Sequence, residues 1–145
     1  MKIIIPKEIK NNEYRVGLTP SSVKQLFNDG HEIFVEKNAG VGIGFTDNDY
    51  ELSGASIIDN RSDLFKKGEL IIKVKEPIPE EFQYLNSSHT LFTYLHLAAN
   101  MTQAKELAET GVRGIAYETI TSAAGNLPLL APMSSIAGQI SIVVG

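Results

Sequence analysis

Short runs rich in Ile, Leu and Val recur along this chain, and amphipathic stretches with helical spacing lie between them. This alternation constrains the fold more than any other feature, because parallel strands need a crossover between them and a helix is the usual one. The first run is residues 2–5, followed by a helix announced by Thr19-Pro20, where Thr can cap and Pro can occupy the first helical position. Val23, Leu26 and Phe27 supply its apolar stripe, and Gly30 stands where a left-handed stop is expected.

The same reading continues along the chain. Residues 31–36 form a second strand, and Thr46 with Asp49 has the spacing of a capping box before a short helix ending near Gly54. Residues 55–58 follow as a strand, 60–67 as a short helix and 69–75 as a mostly buried strand ended by Pro77 and Pro79. Residues 90–97 give the next strand, 100–110 a helix stopped by Gly111, and 112–118 another strand. A turn-rich segment at 122–126 precedes a final element that begins near Met133. The expected fold is α/β: a three-layer parallel sheet with helices on both faces, Rossmann-like or flavodoxin-like.

Composition narrows the function classes. A length of 145 residues fits one domain, and 43% apolar with 21% charged residues is ordinary for a globular chain. A net charge of −4 argues against a nucleic-acid binder, which presents a basic face to phosphate, so a small-molecule partner is expected. The absence of Cys excludes disulfides and thiolate-bound zinc, and three His make a closed metal site unexpected. No apolar run has the length of a signal-peptide core or a membrane span, so the expectation is a cytoplasmic protein without membrane association.

Ligands of open parallel sheets bind outside the carboxyl ends of the strands. Three candidates fall there: Arg15 in the loop after the first strand, Lys75 closing the fourth and His96 near the end of the fifth. A guanidinium fork, an ammonium and an imidazole together suit a small oxo or amino acid. Each has a plainer reading. Arg15 fits a solvated loop residue, and Lys75, on one strand face with Lys73, fits a solubilising one. His96 shares a face with Phe92 and Tyr94, which suits a core histidine equally well. Glu118 reads as a structural carboxylate. The glycines of Gly40-Val41-Gly42-Ile43-Gly44-Phe45 read as turn residues, because Phe45 stands where a dinucleotide fingerprint requires Gly. The residues from Asp47 lack the Gly of a calcium loop, since Leu52 stands in its place. Met133-Ser134-Ser135 could present a helix start to an anion, but capping is the commoner explanation.

Several longer segments carry a resemblance. These are residues 5–16 with Leu18-Thr19-Pro20, then Gly30-His31, Lys73-Val74-Lys75-Glu76-Pro77 and Phe92-Thr93-Tyr94-Leu95-His96-Leu97-Ala98. Ile115-Ala116-Tyr117-Glu118-Thr119 and residues 127–134 complete the set. In order and content they resemble the bacterial alanine dehydrogenases over essentially the whole chain. The proton-translocating transhydrogenases share the opening but differ around Tyr94-Leu95-His96-Leu97, and the saccharopine dehydrogenases are more distant.

The resemblance implies reversible oxidative deamination of L-alanine to pyruvate and ammonia, with hydride passing to NAD and water adding to the imine. It implies that Arg15 and Lys75 bind the substrate carboxylate and carbonyl region, that His96 is the acid/base, that Tyr94 and Met133 line the pocket, and that Ser134 approaches the cofactor. It further implies that residues 1–132 form a substrate-binding portion and 133–145 the start of a connecting helix toward an NAD-binding domain. The catalytic Asp and the nucleotide fingerprint are expected beyond residue 145, so the isolated chain is expected to be inactive, and the family is typically hexameric. The alternatives are a non-catalytic module that binds a small oxo or amino acid, and the N-terminal domain of a transhydrogenase alpha subunit.

Overall fold

In a computed structural model of the chain, residues 1–144 are described. Six strands form one all-parallel sheet: β1 (Lys2–Ile5), β2 (Glu32–Glu36), β3 (Ser56–Ile58), β4 (Leu70–Ile72), β5 (Thr90–Thr93) and β6 (Arg113–Ala116). Their order across the sheet is β3-β2-β1-β4-β5-β6. The direction of winding reverses between β1 and β4, so the crevice outside their carboxyl ends is the topological switch point of the fold.

Alternation along the central strands builds two cores. Ile3 and Ile5 point to one face with Ile33, Val35 and Ile72, and meet Val23 of α1 (Pro20–Asn28) and Tyr50 of α2 (Asp47–Leu52). Ile4 points to the other face with Ile71 and Leu91, and meets Leu64 and Phe65 of α3 (Arg61–Lys67) and Leu107 of α5 (Met101–Glu109). Because both faces are covered, β1 and β4 read as unbroken apolar runs in the sequence. Each fully buried aliphatic side chain is worth about 1.5–3 kcal/mol. The two cores together give the site a rigid floor.

The predicted helix signals hold in detail. The Thr19 hydroxyl accepts the Ser22 N–H, Pro20 opens α1, and Gly30 follows it at φ 85°. Thr46 and Asp49 form a reciprocal capping box: the Thr46 N–H donates to Asp49 Oδ2 at 2.7 Å and the Asp49 N–H to Thr46 Oγ1 at 3.2 Å. Asn60 and Asn100 cap α3 and α5. Tyr50 donates its hydroxyl to the Leu18 carbonyl at 2.8 Å, and burial pushes that phenol up to about 12.

The strands at the site end earlier than predicted. β4 stops at Ile72 and not at Lys75, β5 at Thr93 and not at Leu97, and β6 at Ala116 and not at Glu118. Pro79 does more than end a strand: it opens a short helix, α4 (Pro79–Phe82). The last element, α6 (Ala131–Val144), starts two residues before Met133, and the end of the 133–145 segment, Gly145, lies outside the described residues. Ile136, Ile140, Ile142, Val143 and Val144 of α6 face solvent.

Candidate active site at the switch point

The loops leaving β1 and β4 are tied together by buried charge. Glu8 accepts the Val74 N–H at 2.6 Å and the Lys75 N–H at 3.2 Å on Oε1, and its Oε2 takes the Lys73 ammonium at 3.0 Å. Lys73 also donates to Glu81 Oε1 at 2.8 Å, and its side chain is sealed from solvent. Arg61 then joins Glu81, Glu36 and the Lys7 carbonyl. Burying two charges is costly unless they are paired and their remaining lone pairs bonded, which is the arrangement here. The network clamps residues 7–8 against 73–75. It therefore sets where Lys75 stands.

Lys73 overturns its sequence reading. It does not share an exposed strand face with Lys75, because the strand has already ended and the chain bends at Val74 and Lys75. The Lys75 carbonyl accepts the Thr93 hydroxyl at 2.9 Å, and its ammonium makes no ion pair with another of the described residues. That ammonium is close enough to Glu13 to help lower its carboxyl.

Arg15 is held by a neighbour. Its Nε and one terminal nitrogen donate to Glu13 at 2.8 and 2.6 Å, a bidentate pair, while the other terminal nitrogen lies 3.4 Å from Met133 Sδ. The Arg15 hydrogen bonds hold the Glu13 carboxyl below its ordinary value and outweigh its burial. Glu13 raises the guanidinium in return. One edge of the fork is thus fixed and the other points toward α6.

His96 is not a core histidine. It lies beyond the end of β5 in a left-handed conformation, φ 48° and ψ 32°, with its side chain 48% exposed. For a residue with a Cβ that conformation costs roughly 1–2 kcal/mol and persists only where its surroundings enforce it. Glu118 does so, accepting the N–H groups of Leu95 at 3.1 Å and His96 at 2.7 Å. The same two bonds explain why β5 ends early, and they make Glu118 the structural carboxylate expected from sequence. Glu76 approaches the ring: its Oε2 lies 3.3 Å from His96 Nδ1. Oε1 is bonded to Lys10. Burial acts to raise the Glu76 carboxyl, but Lys10 prevails and the group sits below its ordinary value.

The three predicted residues do not line one hollow. Arg15 borders a cavity of about 590 Å³ formed by residues 7–15 with Asn38 and Gly42. His96 borders another of about 380 Å³ with Leu95, Ala116 and Glu118. Between them, Tyr94 and Met133 line a third of about 340 Å³ with Val74, Phe92 and Tyr117. Lys75 borders none of these three. Contacts nevertheless connect them: Arg15 touches Met133, and the Tyr94 ring lies 6.0 Å from that of His96. Tyr94 also donates its hydroxyl to the Leu129 carbonyl at 2.5 Å, anchoring the approach to α6.

Ser134 falls inside α6 and not at its first turn, with its N–H already donated to the Leu130 carbonyl at 3.1 Å. It offers no free amide to an anion. The glycines at 40–44 build a short 3₁₀ turn closed by Gly44. Among the described residues no cluster of three His, Asp or Glu side chains is placed to hold a metal.

Sequence reasoning passed over Glu8, Glu13, Glu76 and Glu81. They are ordinary acidic residues in sequence, and only the fold brings them to the same rim as the cations.

Comparison with known proteins places this geometry. The family described as alanine dehydrogenase/PNT, N-terminal domain, matches residues 4–137. An alanine dehydrogenase from Halomonas elongata is 52% identical over all 145 residues, which span 39% of its length. A solved L-alanine dehydrogenase superposes with a TM-score of 0.93 at 48% identity, covering 100% of this chain and 40% of that one. A transhydrogenase from Sinorhizobium meliloti gives 0.75 at 29% identity, covering 81% of this chain and 35% of its own. The chain thus spans about two fifths of the length of the curated relatives it matches. It belongs to the alanine dehydrogenase/PNT family, and residues 4–137 are its N-terminal domain.

Proposed function

We propose that this chain supplies the substrate-binding part of an NAD-dependent L-alanine dehydrogenase, which interconverts L-alanine with pyruvate and ammonia. One observation carries the reading: at the switch point Glu8 ties the loop that carries Arg15 to the bend that carries Lys75, accepting the Val74 and Lys75 N–H groups. Two cations at one crevice suit a small carboxylate. The alanine dehydrogenases that match the chain over its full length agree with that chemistry.

In this account the free edge of Arg15 takes the substrate carboxylate and Lys75 the carbonyl oxygen. Tyr94 and Met133 wall the methyl group. His96, exposed at the rim, exchanges protons with the water and the amine. Acid/base help of this kind contributes about 10²- to 10⁴-fold, and fixing the carboxylate adds an orientation effect. Because Arg15 and His96 border separate hollows and Lys75 borders neither, α6 has to shift toward the sheet when the substrate is held. Met133, already touching Arg15, is the residue through which it does so.

The residues at the switch point do not fit NAD. A dinucleotide needs a tight glycine-rich turn from β1 into α1. Residues 6–19 form a polar loop instead, a Cβ on Gly17 would stand 2.5 Å from the Ile72 carbonyl oxygen, and Thr19 caps α1. The coenzyme is assigned to a part of the dehydrogenase outside these residues, with α6 leading toward it and Ser134 contributing only its hydroxyl. Residues 1–132 then form the substrate portion and 133–145 the connection. A cytoplasmic homo-oligomer completes the proposal. No helix among the described residues is long and apolar enough to cross a membrane.

Calorimetric titration of the chain with pyruvate tests this reading. Binding that is lost in both Arg15→Ala and His96→Ala supports it. Binding unchanged in both variants, or absent from the parent chain, refutes it.

A further inference from the structure

A carboxylate oxygen stripped of water needs a donor, and leaving it without one is costly. Glu76 Oε2 is such an atom: it is buried and makes no aligned hydrogen bond with any of the described residues. Lys10 is engaged on the other oxygen of the same carboxylate. Beside Oε2 stands the His96 ring, with Nδ1 at 3.3 Å, within ion-pair reach but not aligned as a hydrogen bond. The ring is half exposed, so a small rotation of its side chain brings Nδ1–H onto Oε2. The backbone of His96 cannot follow that rotation, because Glu118 fixes its N–H and its left-handed conformation.

We propose that Glu76 is a positioning residue for His96: its Oε2 accepts Nδ1–H and so holds the neutral ring in the Nδ1–H tautomer, with the lone pair on Nε2 turned to the open rim. A neutral imidazole donates from one nitrogen and accepts on the other, and the partner of one fixes the role of the other. The device is a carboxylate behind a histidine, with Lys10 setting which oxygen faces the ring. The inference rests on the proposed acid/base role of His96, since it states which nitrogen meets the substrate water or amine.

Nitrogen-15 spectroscopy of the imidazole rings reads the tautomer directly, in mildly alkaline solution without pyruvate. The chain has three His, so the His96 signals are identified by their loss in His96→Ala. In the parent chain the Nδ1–H form is expected to exceed the Nε2–H form roughly tenfold, the ratio a charge-assisted hydrogen bond sets. Glu76→Ala should restore the Nε2–H form. Glu76→Gln, which keeps an acceptor oxygen, should retain an excess of Nδ1–H. The measurement on the parent chain stands even if a variant fails to fold. A His96 ring in the Nε2–H form in the parent chain overturns the inference whatever pyruvate does. Absent pyruvate binding with the Nδ1–H form intact overturns the proposed function alone.

Discussion

The Lys73 ammonium lies 3.0 Å from the Glu8 carboxylate, and both side chains are almost completely shielded from water. The pair links the loop after β1 to the bend after β4, and Glu8 uses its other oxygen to fix the Lys75 N–H. Removing one partner of such a pair leaves the other buried and unpaired. Lys73→Met is therefore expected to lower stability by about 3–5 kcal/mol in a urea titration. A loss below 0.5 kcal/mol, the size typical of neutral surface changes, would show that the pair is dispensable.

The left-handed backbone of His96 predicts an unusual ordering of variants. His96→Val, with a branched Cβ at φ 48°, should be less stable than the parent, whose unbranched Cβ already carries the ordinary cost of that region. His96→Gly should not be, because Gly occupies that region without strain. Thermal unfolding of the two variants checks the ordering, and a less stable Gly variant would contradict it.

Acid should weaken the fold through His89. Its ring is buried, Nε2 lies 3.1 Å from the Phe65 carbonyl oxygen, and Nδ1 has no partner among the described residues. Burial lowers its pKa from 6.5, and the bond to Phe65 offsets this only in part. The unfolded chain therefore binds more protons than the folded one as pH falls through the unfolded value. The contribution is complete above about pH 6.5 and diminishes from there down to the folded value. Denaturant titrations at a series of pH values should show this slope, and His89→Gln should flatten it.

Gly17 sits where the β1 loop crosses the end of β4. A Cβ there would stand 2.5 Å from the Ile72 carbonyl oxygen and 2.9 Å from its carbon, neither of which can yield cheaply. Gly17→Ala should cost about 1–3 kcal/mol and weaken pyruvate binding as well, because the displaced backbone carries Arg15. Undiminished stability would mean that the crossing is looser than the structure shows.

The order of strands and helices was legible because each helix carries its own start signal, such as Thr19-Pro20 or the Thr46–Asp49 box, and each central strand is an apolar run. Strand ends at the site were not. Leu95 and His96 have the composition of a strand, but their N–H groups are taken by Glu118, a residue far along the chain, and the ladder ends at Thr93. Lys73 looked like its neighbour Lys75 because periodicity cannot show that Glu8 and Glu81 wait beneath it. Arg15, Lys75 and His96 became candidates from their places after the strands. Their carboxylate partners were not, since acidic residues at 8, 13 and 76 carry no local pattern.

Backbone nitrogen–proton shift mapping during pyruvate addition tests most directly whether one small acid engages Arg15, Lys75 and His96 together. The expected result is a set of shifts confined to residues 13–17, 73–76, 94–97 and the start of α6 around Met133, all saturating with one affinity. Shifts confined to the other end of the sheet near Met1, Leu70 and Arg113, or separate affinities for the Arg15 and His96 regions, would contradict a shared site.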